Sequence, residues 1–256
     1  MKYIEWLNIW LNNYIKTSTK MRTYERYSQT VRVNILPVLG RYELNELTPL
    51  LLQTYVSDLL DCGNKRTGKG LSPNFVKSII SIIQNSLKTA HLLGYISEYT
   101  ANKVKYPKIV EKQVDCFTII EQKKIENSVM TCKKDKMRGI VICLYTGLRI
   151  GELLALTWCD VDFSKKMITV NKTCRDGTVN GVRSKIIDTP KTESSRRCVP
   201  ISSALLPILR EMKKKSKCEY VIADGEKPVF TRSYQRAFEL LLIKLKIPHK
   251  CFHSLR

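Results

Sequence analysis

Four side chains in this sequence have the types and spacing to handle a phosphodiester. Arg149 and Glu152 stand three apart in Tyr145-Thr-Gly-Leu-Arg149-Ile-Gly-Glu152-Leu-Leu-Ala-Leu156, and His253 and Arg256 repeat that spacing in His253-Ser-Leu-Arg256. Lys191 lies between these stretches, where extended sequence enters a polar turn. Arg149, Glu152, His253 and Arg256 are polar spots inside otherwise apolar sequence. Transfer of a phosphodiester asks for planar cationic forks against two non-bridging oxygens and for a group that moves a proton. Two arginines, a histidine and a carboxylate supply that set. Each residue alone also has a plainer reading. Arg149 and Glu152 could be a helix-surface ion pair, a common and weak feature. His253 could be a hydrogen-bonded core histidine, and Lys191 an ordinary hairpin lysine. Gly147 and Gly151 weigh towards a ligand near Arg149, because glycine lets backbone approach closely.

The whole-chain charge points the same way. Among 256 residues, Lys+Arg number 44 against 23 Asp+Glu, a formal charge of +21. Such an excess favours a polyanionic partner, nucleic acid first, over a merely basic surface. Nine cysteines are scattered singly, with no C-x-x-C pair and no finger-like histidine spacing. They argue against a zinc module and a disulfide framework, and for a reducing cytoplasm. Cys143 and Cys198 read as buried thiols. The N-terminus carries Glu5 and is no signal peptide. No apolar run is long enough to span a membrane.

The elements that must position these residues fall into two domains: a helical domain over 1–105, a linker over 106–116 and a mixed domain over 117–256. The expected fold class is mainly α with a small antiparallel β-sheet (α+β). Tyr3, Trp6, Leu7, Trp10, Leu11 and Tyr14 recur at helical steps, as do Tyr24, Tyr27, Val31 and Ile35, and these stripes read as core. Thr48-Pro49 and Ser72-Pro73 supply caps and first turns for two further helices. The stripe of the second runs through Phe75, Val76, Ile79, Ile80, Ile83, Leu87 and Leu92. Between them lies the basic loop 64–70, either solvated or against a DNA backbone.

In the second domain Thr118 and Glu121 form a capping-box pair for a helix reaching about Met130. An apolar helix over 136–147 breaks at Gly147, and a short helix follows over 150–156. Met167–Thr173 reads as a strand, with a turn at Arg175-Asp-Gly177. Residues 185–191 and 196–201 read as two strands joined by the turn 192–195. Helices over about 202–216 and 233–245 complete the pattern, and His253 to Arg256 open another.

Taken together, the motifs resemble the tyrosine recombinase (phage integrase) family. Thr146-Gly-Leu-Arg-Ile-Gly-Glu-Leu-Leu-Ala-Leu156 resembles its first-arginine box. Thr189-Pro-Lys-Thr-Glu-Ser-Ser-Arg-Arg-Cys-Val-Pro-Ile201 resembles its β-hairpin lysine segment, and His253-Ser-Leu-Arg256 its H-x-L-R box. Residues 1–100 resemble its helical core-binding (SAM-like) domain. The resemblance implies a catalytic domain of the DNA breaking-rejoining type, acting on double-stranded DNA through a 3′-phosphotyrosine link. It implies that Arg149 and Arg256 clamp the non-bridging oxygens. Lys191 would give the proton to the leaving 5′ oxygen, His253 would take part in proton transfer, and Glu152 would hold an arginine or the histidine in place. No metal or cofactor is implied, since the cations do that electrostatic work. Partners are DNA and either further copies of the chain or a full-length recombinase on the same DNA.

One departure matters. The family carries a second histidine or tryptophan and then the nucleophilic tyrosine downstream of H-x-L-R, whereas this sequence stops at Arg256. The expectation is therefore a truncated catalytic domain that binds DNA without cleaving it alone. The alternatives are a non-catalytic protein that occupies a recombination site, or an enzyme whose tyrosine comes from a partner chain.

Overall fold

Two N-terminal helices begin at the caps their sequence supplies. Thr48 accepts the Leu51 N–H at 3.2 Å and opens helix Pro49–Cys62, and Ser72 accepts the Phe75 N–H at 3.3 Å and opens helix Pro73–Leu92. Before them run two helical stretches, residues 3–18 and 21–39, each with a π-helical segment inside it, Trp10–Ile15 and Val31–Ile35. The aromatic stripe of the first is core, and its polar tips are satisfied by helix Pro73–Leu92. Tyr3 shares a 2.7 Å hydrogen bond with Ser86, Trp6 donates to the Ser86 carbonyl at 3.1 Å, and Trp10 donates to Thr89 at 3.2 Å. Tyr14, Phe75 and Leu92 lie on exposed ground instead, because they sit near the ends of their stripes.

The computed structural model describes residues 1–110, 115–132, 134–179, 181–188 and 196–255. These form two compact units, Met1–Lys112 and Gln113–Arg256, each with its own apolar core.

The second unit opens on the expected capping box: Thr118 accepts the Glu121 N–H at 3.3 Å, and Glu121 accepts the Thr118 N–H at 2.8 Å. Helix Ile119–Met130 follows, then helix Gly139–Thr146, whose Ile140, Val141, Ile142 and Cys143 are wholly buried. After helix Ile150–Ala155 come strands β1 (Val161–Asp162), β2 (Met167–Val170), β3 (Thr173–Val179), β4 (Val182–Asp188) and β5 (Arg197–Pro200). Helix Leu205–Lys215, strands β6 (Ala223–Asp224) and β7 (Lys227–Pro228) and helix Thr231–Lys244 complete the unit before a short turn, Phe252–Leu255. The sheets are a three-stranded antiparallel array β1-β2-β5 and the hairpins β3-β4 and β6-β7.

The pairing differs from the expected one. β4 pairs with β3, not with β5, and β5 pairs with β2. Arg175-Asp-Gly177 is no turn but lies inside β3. The chain reverses beside Gly181, whose φ of 78° suits glycine. Asp176 pairs with Lys185 in the ladder, and its carboxylate accepts the Thr231 and Arg232 N–H groups at 2.8 and 3.2 Å, closing the start of helix Thr231–Lys244. Cys198 is exposed, not buried. Its cross-strand partner is Thr169, on the outward face, whereas Arg197 and Val199 stand opposite the buried Val170 and Ile168. Among the described residues no helix is long and apolar enough to cross a membrane.

Candidate functional site

Three features of local sequence set Arg149 in place. Gly147, at φ 63°, ends helix Gly139–Thr146 and donates its N–H to the Cys143 carbonyl at 2.8 Å. Leu148 is buried, and the chain runs extended through Arg149, which precedes helix Ile150–Ala155. Gly151 then lies so close to β3 that a Cβ there would meet the Thr173 hydroxyl at 2.5 Å and the Cys174 carbonyl at 2.9 Å. The helix is thereby pressed onto the hairpin, with Leu153, Leu154 and Ala155 in the core.

Glu152 is the centre of the resulting cluster. Its carboxylate is buried, at 7% exposure, and accepts four hydrogen bonds. Arg149 gives two: its backbone N–H at 2.9 Å to Oε2 and its Nη1 at 2.8 Å to Oε1. Arg197 gives the others in a two-pronged pairing, Nη1 to Oε1 at 3.1 Å and Nη2 to Oε2 at 2.7 Å. Burial alone would raise the pKa of the carboxyl. The fork of Arg197, with the backbone and side-chain donors of Arg149, outweighs burial and holds it down to about 2. The side chain of Arg149 is 49% exposed and that of Arg197 27%, so the cluster is anchored below and open above.

The far end of the same helix is tied as well. Lys185 of β4 donates to the Leu154 carbonyl and lies 4.1 Å from the centroid of the Tyr220 ring. Desolvation lowers its pKa. This lysine positions the helix end and is not part of the open cluster.

Of the sequence-predicted residues, the structure brings Arg149 and Glu152 together directly. His253 stands exposed on the turn Phe252–Leu255, whose Phe252 and Leu255 enter the core and which packs against helix Gly139–Thr146. Lys191 and Arg256 lie outside the described residues. Arg197 was missed. The signal that finds it is strand alternation: opposite a buried Val170, an arginine must point inward and needs an acid. Among the described residues, no group of three or more His, Cys, Asp or Glu side chains could hold a metal ion.

Residues 115–256 match the model of the phage integrase family, and residues 3–60 match that of the phage integrase N-terminal SAM-like domain. The chain belongs to the phage integrase family. It is 27% identical over 280 residues to a tyrosine recombinase XerC-like protein of Caldanaerobacter subterraneus subsp. tengcongensis, covering 98% of this chain and 69% of that one. It is 26% identical to the integrase of Staphylococcus phage L54a, covering 82% of this chain and 62% of the relative. The fold matches the Tn1549 transposon integrase in complex with a circular intermediate DNA at a TM-score of 0.81 and 18% identity, covering 100% of this chain and 84% of that one. A lambda integrase tetramer bound to a Holliday junction matches at 0.73 and 17% identity, covering 100% of this chain and 70% of that one.

Proposed function

We propose that the chain acts on double-stranded DNA as a site-specific recombinase, an integrase of a mobile element, and that Arg149 binds the phosphodiester at which strands are exchanged. The observation that carries this is the guanidinium of Arg149, aimed by a buried carboxylate yet half open to solvent. A fork so held presents its remaining N–H groups to an anion at little cost in side-chain freedom. Family membership, the DNA in the structures of its fold neighbours, and the charge of +21 support the same partner.

In this reading Arg149 and Arg256 stabilise the charge that gathers on the non-bridging oxygens, an effect that typically lowers a barrier by about 3 kcal/mol per positioned donor. Lys191 protonates the leaving 5′ oxygen. His253, exposed on its turn, moves a proton and hydrogen-bonds the phosphate. Glu152 keeps Arg149 in its one useful orientation. In the family the attacking group is a tyrosine hydroxyl downstream of the H-x-L-R box, a stretch that residues 1–256 do not include, so the reading for these residues is binding and phosphate activation. Nine unpaired cysteines suit a reducing cytoplasm.

The test begins by selecting this chain's preferred duplex from a random pool. Arg149→Ala then weakens binding to that duplex roughly tenfold, as expected for a charge-assisted contact. Lys134→Ala, an exposed control, changes it less than about twofold. Equal effects of the two on affinity and on salt dependence would count against the assignment.

A further inference from the structure

Glu152 presents a problem of charge. A carboxylate that aims Arg149 also cancels it, and a cancelled guanidinium is a poor receptor for a phosphate. The structure answers with a second arginine. Arg197 approaches the same carboxylate from β5 with both terminal nitrogens, at 3.1 and 2.7 Å. One carboxylate between two guanidiniums leaves one positive charge uncancelled. The four bonds also divide the work: Arg197 takes one oxygen with each prong, and Arg149 fills the remaining sites with its backbone and one Nη.

Resting on the phosphate-binding reading, we propose that Arg197 is a positioning residue: it holds Glu152 so that the carboxylate aims Arg149 while the cluster keeps a net positive charge for the DNA phosphate. The strand fixes it for this task. Its register against Val170 turns the side chain towards the helix, and its lower exposure, 27% against 49%, sets it behind Arg149 and not beside it. A lysine could supply the charge but not the two-pronged grip.

The test uses this chain, its selected duplex, and a series of that duplex carrying one neutral methylphosphonate at successive positions. The phosphate gripped by Arg149 is the one whose neutralisation weakens the parent protein but leaves Arg149→Ala unchanged. Arg197→Ala is expected to lose roughly tenfold in affinity for the unmodified duplex and nothing further on the duplex neutralised at that phosphate. Its effect should not add to that of Arg149→Ala. Arg197→Lys should recover part of the loss. A second readout needs no DNA: the Arg149 side-chain N–H signals in a proton–nitrogen spectrum, which should broaden and shift in both Arg197 variants while the thermal melt remains cooperative. Loss of affinity that is equal on both duplexes, or additive with Arg149→Ala, would overturn the role. So would unmoved Arg149 signals, even for a variant that binds less tightly. If no phosphate depends on Arg149 at all, the functional reading fails. The spectrum then still decides whether Arg197 orders Arg149.

Discussion

Two ion triads of the second unit are built alike and charged oppositely. In one, buried Glu152 sits between Arg149 and Arg197. In the other, buried Lys250 sits between Glu121 at 2.9 Å and Asp115 at 3.3 Å, and also donates to the Cys116 carbonyl at 2.8 Å. Each triad includes an acid three residues into a helix start that accepts a backbone N–H there, Glu152 from Arg149 and Glu121 from Thr118. Each hides its middle ion and leaves an outer partner in water, Arg149 at 49% exposure and Asp115 at 70%. The sign of the surplus is what separates them. The Glu152 triad keeps a positive charge, which suits the anion proposed for it. The Lys250 triad keeps a negative one, repels an anion, and fastens the start of helix Ile119–Met130 to the segment that leads to His253. Burial and good geometry are common to both clusters; in the proposed reading it is the uncancelled positive charge and its exposure that suit the Glu152 cluster to a phosphate.

The largest effect should come from removing the centre of the positive triad. Glu152→Ala leaves two guanidiniums facing each other, and should cost about 3 kcal/mol, the lower end for a broken buried pair because both arginines reach water. Urea unfolding followed by amide exchange at Leu153 and Leu154 measures it. Gly151→Ala should cost about 2 kcal/mol by the same measurement, since the Cys174 carbonyl 2.9 Å from the new Cβ is backbone and cannot swing away. It should disturb the Glu152 triad while leaving exchange around Thr118 as it was. If both helix starts loosened together, the two triads would not be independent.

The pH dependence sharpens the contrast. The carboxyl of Glu152 is lowered from 4.5 to about 2, so its contribution is complete above pH 4.5 and drains away as pH falls towards 2. Arginines do not titrate, so that triad has no alkaline limit in the accessible range. Lys250, hydrogen-bonded by Glu121, has its pKa raised above 10.5, so its contribution is complete below 10.5 and is lost as pH rises through the raised value. In Arg197→Ala the stability of the unit should depend less steeply on pH between 2 and 4.5, with the alkaline limb unchanged. Lys250→Met should soften the alkaline limb, to which the raised Cys143 thiol and Tyr234 hydroxyl also contribute, lower stability by less than Glu152→Ala, and leave affinity for the selected duplex within about twofold of the parent. A tenfold change in that affinity would erase the distinction drawn between the triads.

What the sequence revealed was what neighbours along the chain decide. Thr48-Pro49, Ser72-Pro73 and the Thr118–Glu121 pair act within one helical turn and are where the pattern puts them. The contact of Arg149 with Glu152 is equally local. Strand pairing is not. Arg175-Asp-Gly177 has the composition of a turn, and it stays extended because it pairs with residues 184–186 of β4 while Asp176 serves a helix that begins 55 residues later. Arg196 and Arg197 are indistinguishable as letters. Only the register with Val170 selects the second of them and turns it towards Glu152.

The gap at Gly151 carries a mechanical implication. With less than a methyl group of clearance between helix Ile150–Ala155 and β3, and interiors that scarcely compress, strand and helix behave as one lever. A displacement of that hairpin is therefore expected to carry with it the start of the helix, where Arg149 stands.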